Sequence, residues 1–326
     1  MDEFDIIHRL FRPLTGTEAL ALQDDGAILA PSQTPLVITT DTMTEGVHFL
    51  PATPAHLIAR KLLRVNLSDL AAMAAVPKGY TLTLTGPFDE AWLTDFAAGL
   101  GEDQPSFGVH LWGGDTCAGR TDRTATITAF GHTDNPLRRK GALPGDWLVL
   151  TAPVGEAAAG LALARGDIRP DALPPGVDGA RLLMRYHLPT PRTDIARAAR
   201  DMLTAGIDIS DGLFSEAEHL AKASAVGLDM REAGAGISLA ALAAMASTPE
   251  LHRRVWQGGD DYELLLTIPP DAWPEFKDMS KAHGGHPVVV GTCTDDPHER
   301  LLPKDLPADL AKMGWADFRG WRHPFG

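Results

Sequence analysis

The chain has 326 residues and a formal net charge of −14, with 43 acidic against 29 basic side chains. That length suits two domains of ordinary size, and 44% hydrophobic residues are enough to give each a core. So acidic a chain is not a general binder of nucleic acid or of anionic membranes, both of which need a basic surface. Its two cysteines, Cys117 and Cys293, form neither a metal-binding spacing nor a disulfide framework. The opening MDEFDIIHRLFRP lacks the apolar stretch of a signal peptide and no apolar run reaches membrane-spanning length, so the expected location is the cytoplasm.

In chain order, PLVITTD (35–41) reads as a strand running into a polar end. PAHLIARKLLRVNLSDLAAMAA (54–75) has helical periodicity and opens on proline, which suits a first helical turn. GYTLTLTG (79–86) alternates as a strand, DEAWLTDFAAGL (89–100) is a helix, and GVHLWGGD (108–115) and TATITAFG (124–131) are strands. The basic, breaker-rich NPLRRKGALPGD (135–146) is the connector, with domains at 1–137 and 138–326. The second half restarts with a strand in DWLVLTAPVG and a helix in EAAAGLALARG, followed by a loop, RPDALPPGV (169–177). RTDIARAARDML (192–203) and LFSEAEHLAKAS (213–224) are helices, and YELLLTIP (262–269) and HPVVVGTC (286–293) are strands. Both halves are mixed α/β, without a short-period repeat.

Acidic residues gather at the ends of these elements: Asp24 and Asp25 in QDDGA, Asp41 in TTDTMTEGVHF, Asp115 in GGDT, Asp208 and Asp211 in DISDG, Asp260 and Asp261 in GGDDYE. Asp69 in NLSDL lies within a helix and shares a face with Asn66, three residues earlier; the helix is otherwise apolar, which turns Asp69 inward. Inward carboxylates are costly unless paired or ligating a metal, and the motifs hold too few cations to pair them all. Hard divalent cations suit a set of Asp, Thr, Ser and Asn oxygens. Each stretch alone has an ordinary reading, as an Asp–Gly turn or a helix cap; together they favour a metal or metal–nucleotide site. No GxxxxGK[ST], GxGxxG or kinase motif is present. A phosphate site would therefore be built mainly from Mg²⁺, with Gly113, Gly114 and Arg139 as helpers. Ser210 either contacts a phosphate or caps the following helix. Cys117 reads as a buried apolar residue with no base to activate it.

VITTDTMTEGVHF, VNLSDLAAM, GGDT, RRKGALPGDW, IDISDGL and GGDDYEL stand in the order and spacing of one family. From about residue 4 to Trp321 the chain resembles the thiamine-monophosphate kinases. The resemblance implies a PurM-like fold of two α/β domains, with the N-terminal domains pairing into a homodimer. It also implies transfer of a phosphoryl group from ATP to thiamine monophosphate. By position, Asp25, Thr40, Asp41, Asp69, Asp115, Asp208 and Asp211 fall where the family holds several Mg²⁺ ions. Phe107, Gly114, Asp115, Arg139 and Ser210 fall where it holds ATP, and His48, Asp260 and Trp321 where it holds the thiamine substrate. No residue is expected to act as nucleophile or base, and Asp208 and Asp211 are expected to matter most.

Three positions depart from that pattern. ALQDDG supplies Ala21 and Gln23 where the family has Gly-x-Gly before its Asp pair. Phe107 stands in place of a tyrosine, and Asp260 in place of a glutamate. The alternatives are another ATP-using PurM-like enzyme, such as a cyclo-ligase or a selenophosphate synthetase, and a non-catalytic relative that binds nucleotide or metal. The selenophosphate type uses a reactive Cys or selenocysteine near its N-terminus, and this chain has none there.

Overall fold

The computed structural model describes residues 3–119, 121–318 and 320. The chain forms two units: Met1–Leu70 with Ala75–Asp134, and Ala71–Ala74 with Asn135–Gly326.

The first unit is built on four strands, β1 (Leu36–Thr44), β2 (Val76–Gly86), β3 (His110–Ala118) and β4 (Thr124–His132), in the order β1-β4-β2-β3. β4 pairs antiparallel with both β1 and β2, and β2 and β3 run parallel. Two helices, Ala55–Ala72 and Glu90–Phe107, supply much of the core, where Ile58, Leu62, Leu63, Leu67, Phe96 and Leu100 are almost wholly buried. The Asp95 carboxylate accepts the His56 backbone N–H at 2.9 Å, satisfying an orphan donor at the start of the first helix. The second helix is capped by Asp89, which accepts the Trp92 N–H at 2.7 Å, and closes on Gly108 at φ +63°. It runs seven residues past the predicted end at 100, through Pro105. Tertiary bonds hold that last stretch: Gln104 donates to the Leu14 carbonyl, and Asp103 takes Arg60 and Arg64. β1 and β4 alternate, so one sheet face packs inward and the other presents Leu36, Ile38, Thr40 and Thr42 outward.

The second unit carries six strands: β5 (Trp147–Leu150), β6 (Ala205–Asp208), β7 (Gly227–Asp229), β8 (Leu264–Ile268), β9 (Val288–Thr294) and β10 (Arg300–Leu301). Their order is β10-β7-β9-β5-β8-β6, antiparallel except for β10 with β7. β8 is buried at every position, as its apolar run LLLTI requires. The predicted helix at 192–203 divides into Thr193–Ala198 and a single turn at Arg200–Met202, where the Arg200 guanidinium donates to Asn135 and to the Leu203 carbonyl. Helices at Gly179–His187, Leu239–Ser247, Leu251–Gln257 and Trp273–Ala282 complete the unit with Glu156–Ala164 and Leu213–Ser224. No described helix is long and apolar enough to cross a membrane.

Candidate functional site

In the first unit, β1 separates its polar residues by face. Thr39 and Asp41 lie on the side of the helix Ala55–Ala72, where the Thr39 hydroxyl donates to the Asp69 carboxylate. The Asp41 N–H donates to Asn66 Oδ1 at 3.0 Å, while Asn66 Nδ2 donates to the Leu62 carbonyl at 2.9 Å. Buried Asn66 is thereby fixed, and Asp69, half-buried, is held against the strand. Thr39 was missed in the sequence, although period-two alternation puts it on the face of Asp41.

Thr40 faces the other way. Its hydroxyl donates to the Ile127 carbonyl at 3.1 Å and accepts from Thr128 at 3.1 Å. Thr42 and Thr126, 2.8 Å apart, continue this outer ladder. Strand register carries it across the sheet from Thr126 to Thr83 and Asp115, and Asp115 is exposed. Two groups thus form on opposite faces: Thr39, Asp41 and Asp69 on one, Thr40 and Asp115 on the other. Gly114 sits so close to β2 that a Cβ there would lie 1.8 Å from the Leu82 carbonyl oxygen. Strand packing alone therefore demands glycine at 114.

Asp25 is exposed on a bend. Leu20, Ala21 and Leu22 before it hold φ of +50°, +55° and +55°, the left-handed region that glycine adopts freely. Ala21 thus holds a conformation that glycine favours, whereas Gln23 has an ordinary φ of −104°. His48 Nδ1 accepts the Thr44 N–H at 3.0 Å, so the neutral ring carries its proton on Nε2. Phe107 ends its helix with the Arg64 guanidinium over the ring, 5.6 Å from the centroid. Cys117, expected to be buried, is exposed. It lies near the end of β3, an edge strand, in register with exposed Thr85.

In the second unit, two acidic segments are laced together by their main chains. β6 ends at Asp208, which is almost fully buried. Beyond it, Ile209 N–H donates to the Glu263 carbonyl at 2.8 Å, Tyr262 N–H to the Ile209 carbonyl at 2.9 Å, and Asp260 N–H to the Ser210 carbonyl at 2.8 Å. The approach is close enough that a Cβ on Gly259 would lie 1.8 Å from the Ser210 oxygen. DISDG and GGDDYE are one structural feature.

Glu216, not singled out in the sequence, belongs to it. The Asp211 N–H donates to its carboxylate at 3.4 Å, and burial, with the nearby Asp211 charge, pushes the Glu216 carboxyl up to about 7. Ser210 and the Arg139 charge act the other way on this carboxyl, favouring its ionised form. Gly212 occupies the N-cap position of the helix Leu213–Ser224 with no side-chain cap, so Ser210 is not the helix cap. Arg139 is itself exposed, its carbonyl held by the Ser224 hydroxyl at 2.9 Å.

Asp260 is half-buried at φ +67°, and Tyr262 is at φ +50°. Their neighbours Asp261 and Glu263 point inward and are buried. Asp261 accepts the Gly155 and Ala157 N–H groups at 2.9 and 3.3 Å at the start of the helix Glu156–Ala164; burial pushes its carboxyl up to about 7. Glu263 accepts from Arg185, Arg192 and Thr151, and although burial opposes ionisation, the two guanidiniums hold it below the usual carboxylate range. Trp321 lies outside the described residues. The chain leading to it is anchored by the Phe318 ring, 4.9 Å from that of Phe214, and by Gln257 donating to the Asp317 carbonyl at 2.8 Å.

Among the described residues, no three His, Cys, Asp or Glu side chains close on a metal position. What they offer is hard oxygen, carboxylate and hydroxyl, dispersed over strand ends. That donor set fits Mg²⁺, which keeps several waters and is bound by one or two carboxylates together with substrate phosphates. It does not fit zinc, which calls for four converging Cys and His ligands in a structural site.

The family described as AIR synthase related protein matches the chain with its N-terminal domain over residues 23–133 and its C-terminal domain over residues 144–304. The thiamine-monophosphate kinase of Caulobacter vibrioides is 38% identical over 325 residues, 96% of this chain and 90% of that protein. The crystal structure of thiamine-monophosphate kinase from Stenotrophomonas maltophilia superposes with a TM-score of 0.76 at 33% identity, covering 84% of this chain and 87% of that one. A structure of AaThiL complexed with AMPPCP and TMP superposes with a TM-score of 0.72 at 25% identity, over 86% and 89% of the two chains. With both domains matched and identity sustained along nearly its whole length, the chain belongs to the thiamine-monophosphate kinase family and has its two-domain PurM-like fold.

Proposed function

We propose that this chain transfers the γ-phosphoryl group of ATP to thiamine monophosphate, giving thiamine diphosphate and ADP. The observation that carries this reading is the lacing of DISDG onto GGDDYE, which gathers Asp208, Ser210, Asp211 and Asp260 on one rigid feature. It is supported by kinship with thiamine-monophosphate kinases and by likeness to a protein solved with an ATP analogue and TMP.

The acceptor is a phosphate monoester whose second pKa is about 6, so at neutral pH it is mostly a dianion and needs no strong base. The obstacle is its repulsion from the triphosphate, and phosphoryl transfer is chiefly positioning and charge neutralisation. Mg²⁺ ions, when bound, supply that neutralisation. The residues that would hold them are Asp25, Asp41, Asp69 and Asp115 in the first unit and Asp208 and Asp211 in the second. Thr40 would take part through its carbonyl, since its hydroxyl is turned to the outer face, and the Thr39 hydroxyl would join Asp69. Arg139, Ser210 and the main chain at Gly114 would hold the nucleotide phosphates, and the Phe107 ring face would stack on the base. His48 would donate from Nε2 to the substrate, and Asp260 and Trp321 would hold the thiamine moiety.

Among the described residues no side chain is set up as a nucleophile: Cys117 has no base hydrogen-bonded to it, and His48 Nδ1 is already engaged. Transfer is therefore direct, in a single displacement that inverts configuration at phosphorus. The test is incubation with ATP, Mg²⁺ and a panel of monoesters, with products identified by mass. Thiamine diphosphate is the expected product, and turnover is expected to stop in excess chelator. Activity on another monoester alone would overturn the substrate, and retention at a chiral γ-phosphorus would overturn the direct route.

A homodimer is supported by the outer sheet face, where Leu36 and Ile38 are 44% and 57% exposed beside the threonine ladder. A second copy would cover that face, together with Thr40 and Asp115. Ile38→Asp is expected to halve the mass measured by light scattering.

A further inference from the structure

GGDDYE is bound from beneath by a network that the proposed chemistry does not use. Glu263 is fully buried and receives Arg185 Nη2 at 2.8 Å, Arg192 Nε and Nη2 at 2.7 and 2.6 Å, and the Thr151 hydroxyl at 2.7 Å. Thr151 in turn accepts the Leu264 N–H at 2.9 Å, which ties the first residue of β8 to the same carboxylate. Two positions earlier, Asp261 is bound to the start of the helix Glu156–Ala164 and feels the charge of Arg185. Arg185 lies on the helix Gly179–His187, and Arg192 just before the short helix Thr193–Ala198. One carboxylate thus pins three elements to the turn.

A turn of this shape needs pinning. Asp260 and Tyr262 are both left-handed without being glycine, a conformation that persists only where the surroundings over-determine it. A buried carboxylate with two guanidiniums is also not the most stabilising filling for such a space, since an apolar group of similar shape often serves as well. What the ionic form provides is direction: the planar fork of Arg192 and the single bond from Arg185 fix where Glu263 sits, and with it the outward course of Asp260.

We propose that Glu263, Arg185 and Arg192 are positioning residues for recognition of the thiamine moiety, acting through Asp260 rather than touching substrate. This rests on the reading of Asp260 as a substrate contact. Asp208 pairs with Leu264 and Ile209 donates to the Glu263 carbonyl, main-chain links that do not run through the Glu263 carboxylate, so binding of ATP and Mg²⁺ is expected to change less than binding of thiamine monophosphate.

The experiment is a double-mutant cycle in the full-length protein, measuring kcat and both KM values for Glu263→Gln, Asp260→Ala and the double variant. Arg185→Lys is a milder companion that leaves the Arg192 fork on Glu263 and so preserves the fold. The expected result is a rise of about tenfold in KM for thiamine monophosphate in Glu263→Gln and a smaller rise in Arg185→Lys, with KM for ATP changed by less than about twofold. In the double variant the KM is expected to equal that of Asp260→Ala alone, because the network has nothing left to position. Independent, multiplying effects in the cycle, or an unchanged KM for thiamine monophosphate in Arg185→Lys and Glu263→Gln, would overturn the positioning role while leaving the kinase reading intact. A normal KM in Asp260→Ala would overturn both the contact and its positioning. Failure of the unaltered chain to phosphorylate thiamine monophosphate would overturn the function itself, and the proposal with it.

Discussion

Both units bury a carboxylate between two arginines, Asp103 with Arg60 and Arg64 in the first and Glu263 with Arg185 and Arg192 in the second, but they differ in the acids nearest the candidate site. In the first, Asp69 is held by a neutral hydroxyl, the Asp41 main chain by a neutral amide, and Asp115 stands exposed on a sheet face. In the second, three acids sink inward and are answered by the protein itself: Glu263 by two arginines, Asp261 by two main-chain N–H groups, Glu156 by Arg181. Acids answered by the protein build the scaffold. Acids oriented by neutral neighbours remain suited to a cation carried in with substrate.

Asp211 sits where the two kinds meet, and breaking it gives the largest effect. Asp211→Asn is expected to lower kcat/KM for thiamine monophosphate by about a hundredfold or more, the range for losing one preorganised electrostatic group. Its stability without Mg²⁺ should be equal or higher, because the Asp211 charge is one of the causes that raise the Glu216 carboxyl. A sharp loss of melting temperature with activity kept would make Asp211 a structural residue.

The next test contrasts a buried answering cation with an exposed one. Arg192→Met leaves Glu263 underpaired in the interior and should cost about 3 kcal/mol, within the range for breaking a buried pair. Arg169→Met removes an exposed partner of Asp171 and should cost less than about 0.5 kcal/mol. Urea unfolding of the two variants measures both, and equal costs would dissolve the distinction between scaffold and surface charge.

These differences set how far the sequence could be read. The acids that matter lie at strand and helix ends beside glycine and threonine, so their positions show in the sequence, as does the alternation that makes β1, β2 and β4 strands. Thr39 was legible by the same alternation, two residues before Asp41. The Glu263 clamp was not legible: Arg185, Arg192 and Thr151 come from three separate elements, and no local period brings them to one carboxylate. Glu216 was hidden for a similar reason, since in LFSEAEHLAKAS it looks like an ordinary helical glutamate until the fold turns it toward Asp211. β8 begins at Leu264 instead of Tyr262 because Tyr262 takes a left-handed conformation that no strand pattern announces.

A pH measurement sharpens the account of the second unit. Burial pushes the Asp261 carboxyl up to about 7 in the folded chain, from an ordinary value of 3.8. A carboxyl raised on folding contributes stability that is full below about pH 4 and is lost as pH rises through its folded value near 7. The charged groups facing it are Arg185, which opposes the rise, and Glu263, which adds to it. Asp261→Asn removes this titration, so from pH 5 to 7.5 its stability should rise relative to that of the parent. Parallel urea profiles across that window would show that Asp261 does not carry the dependence.

The smallest expected effect belongs to the first unit and returns to the residues before Asp25. Ala21 holds φ +55° between two other left-handed residues, with no glycine among the three. A non-glycine residue there carries about 1 kcal/mol of backbone strain. Ala21→Gly removes that strain but adds unfolded-state entropy worth roughly 0.5–1 kcal/mol, so the net gain should be no more than about 0.5 kcal/mol. In a chain of this size that is a rise of about 1 °C in melting temperature. Because the loop already holds the conformation that glycine favours, the Mg²⁺ concentration for half-maximal activity should not move. A glycine that instead sharpened the Mg²⁺ dependence several-fold would mean that the strained loop, and not the position of Asp25 on it, limits how this unit meets its cation.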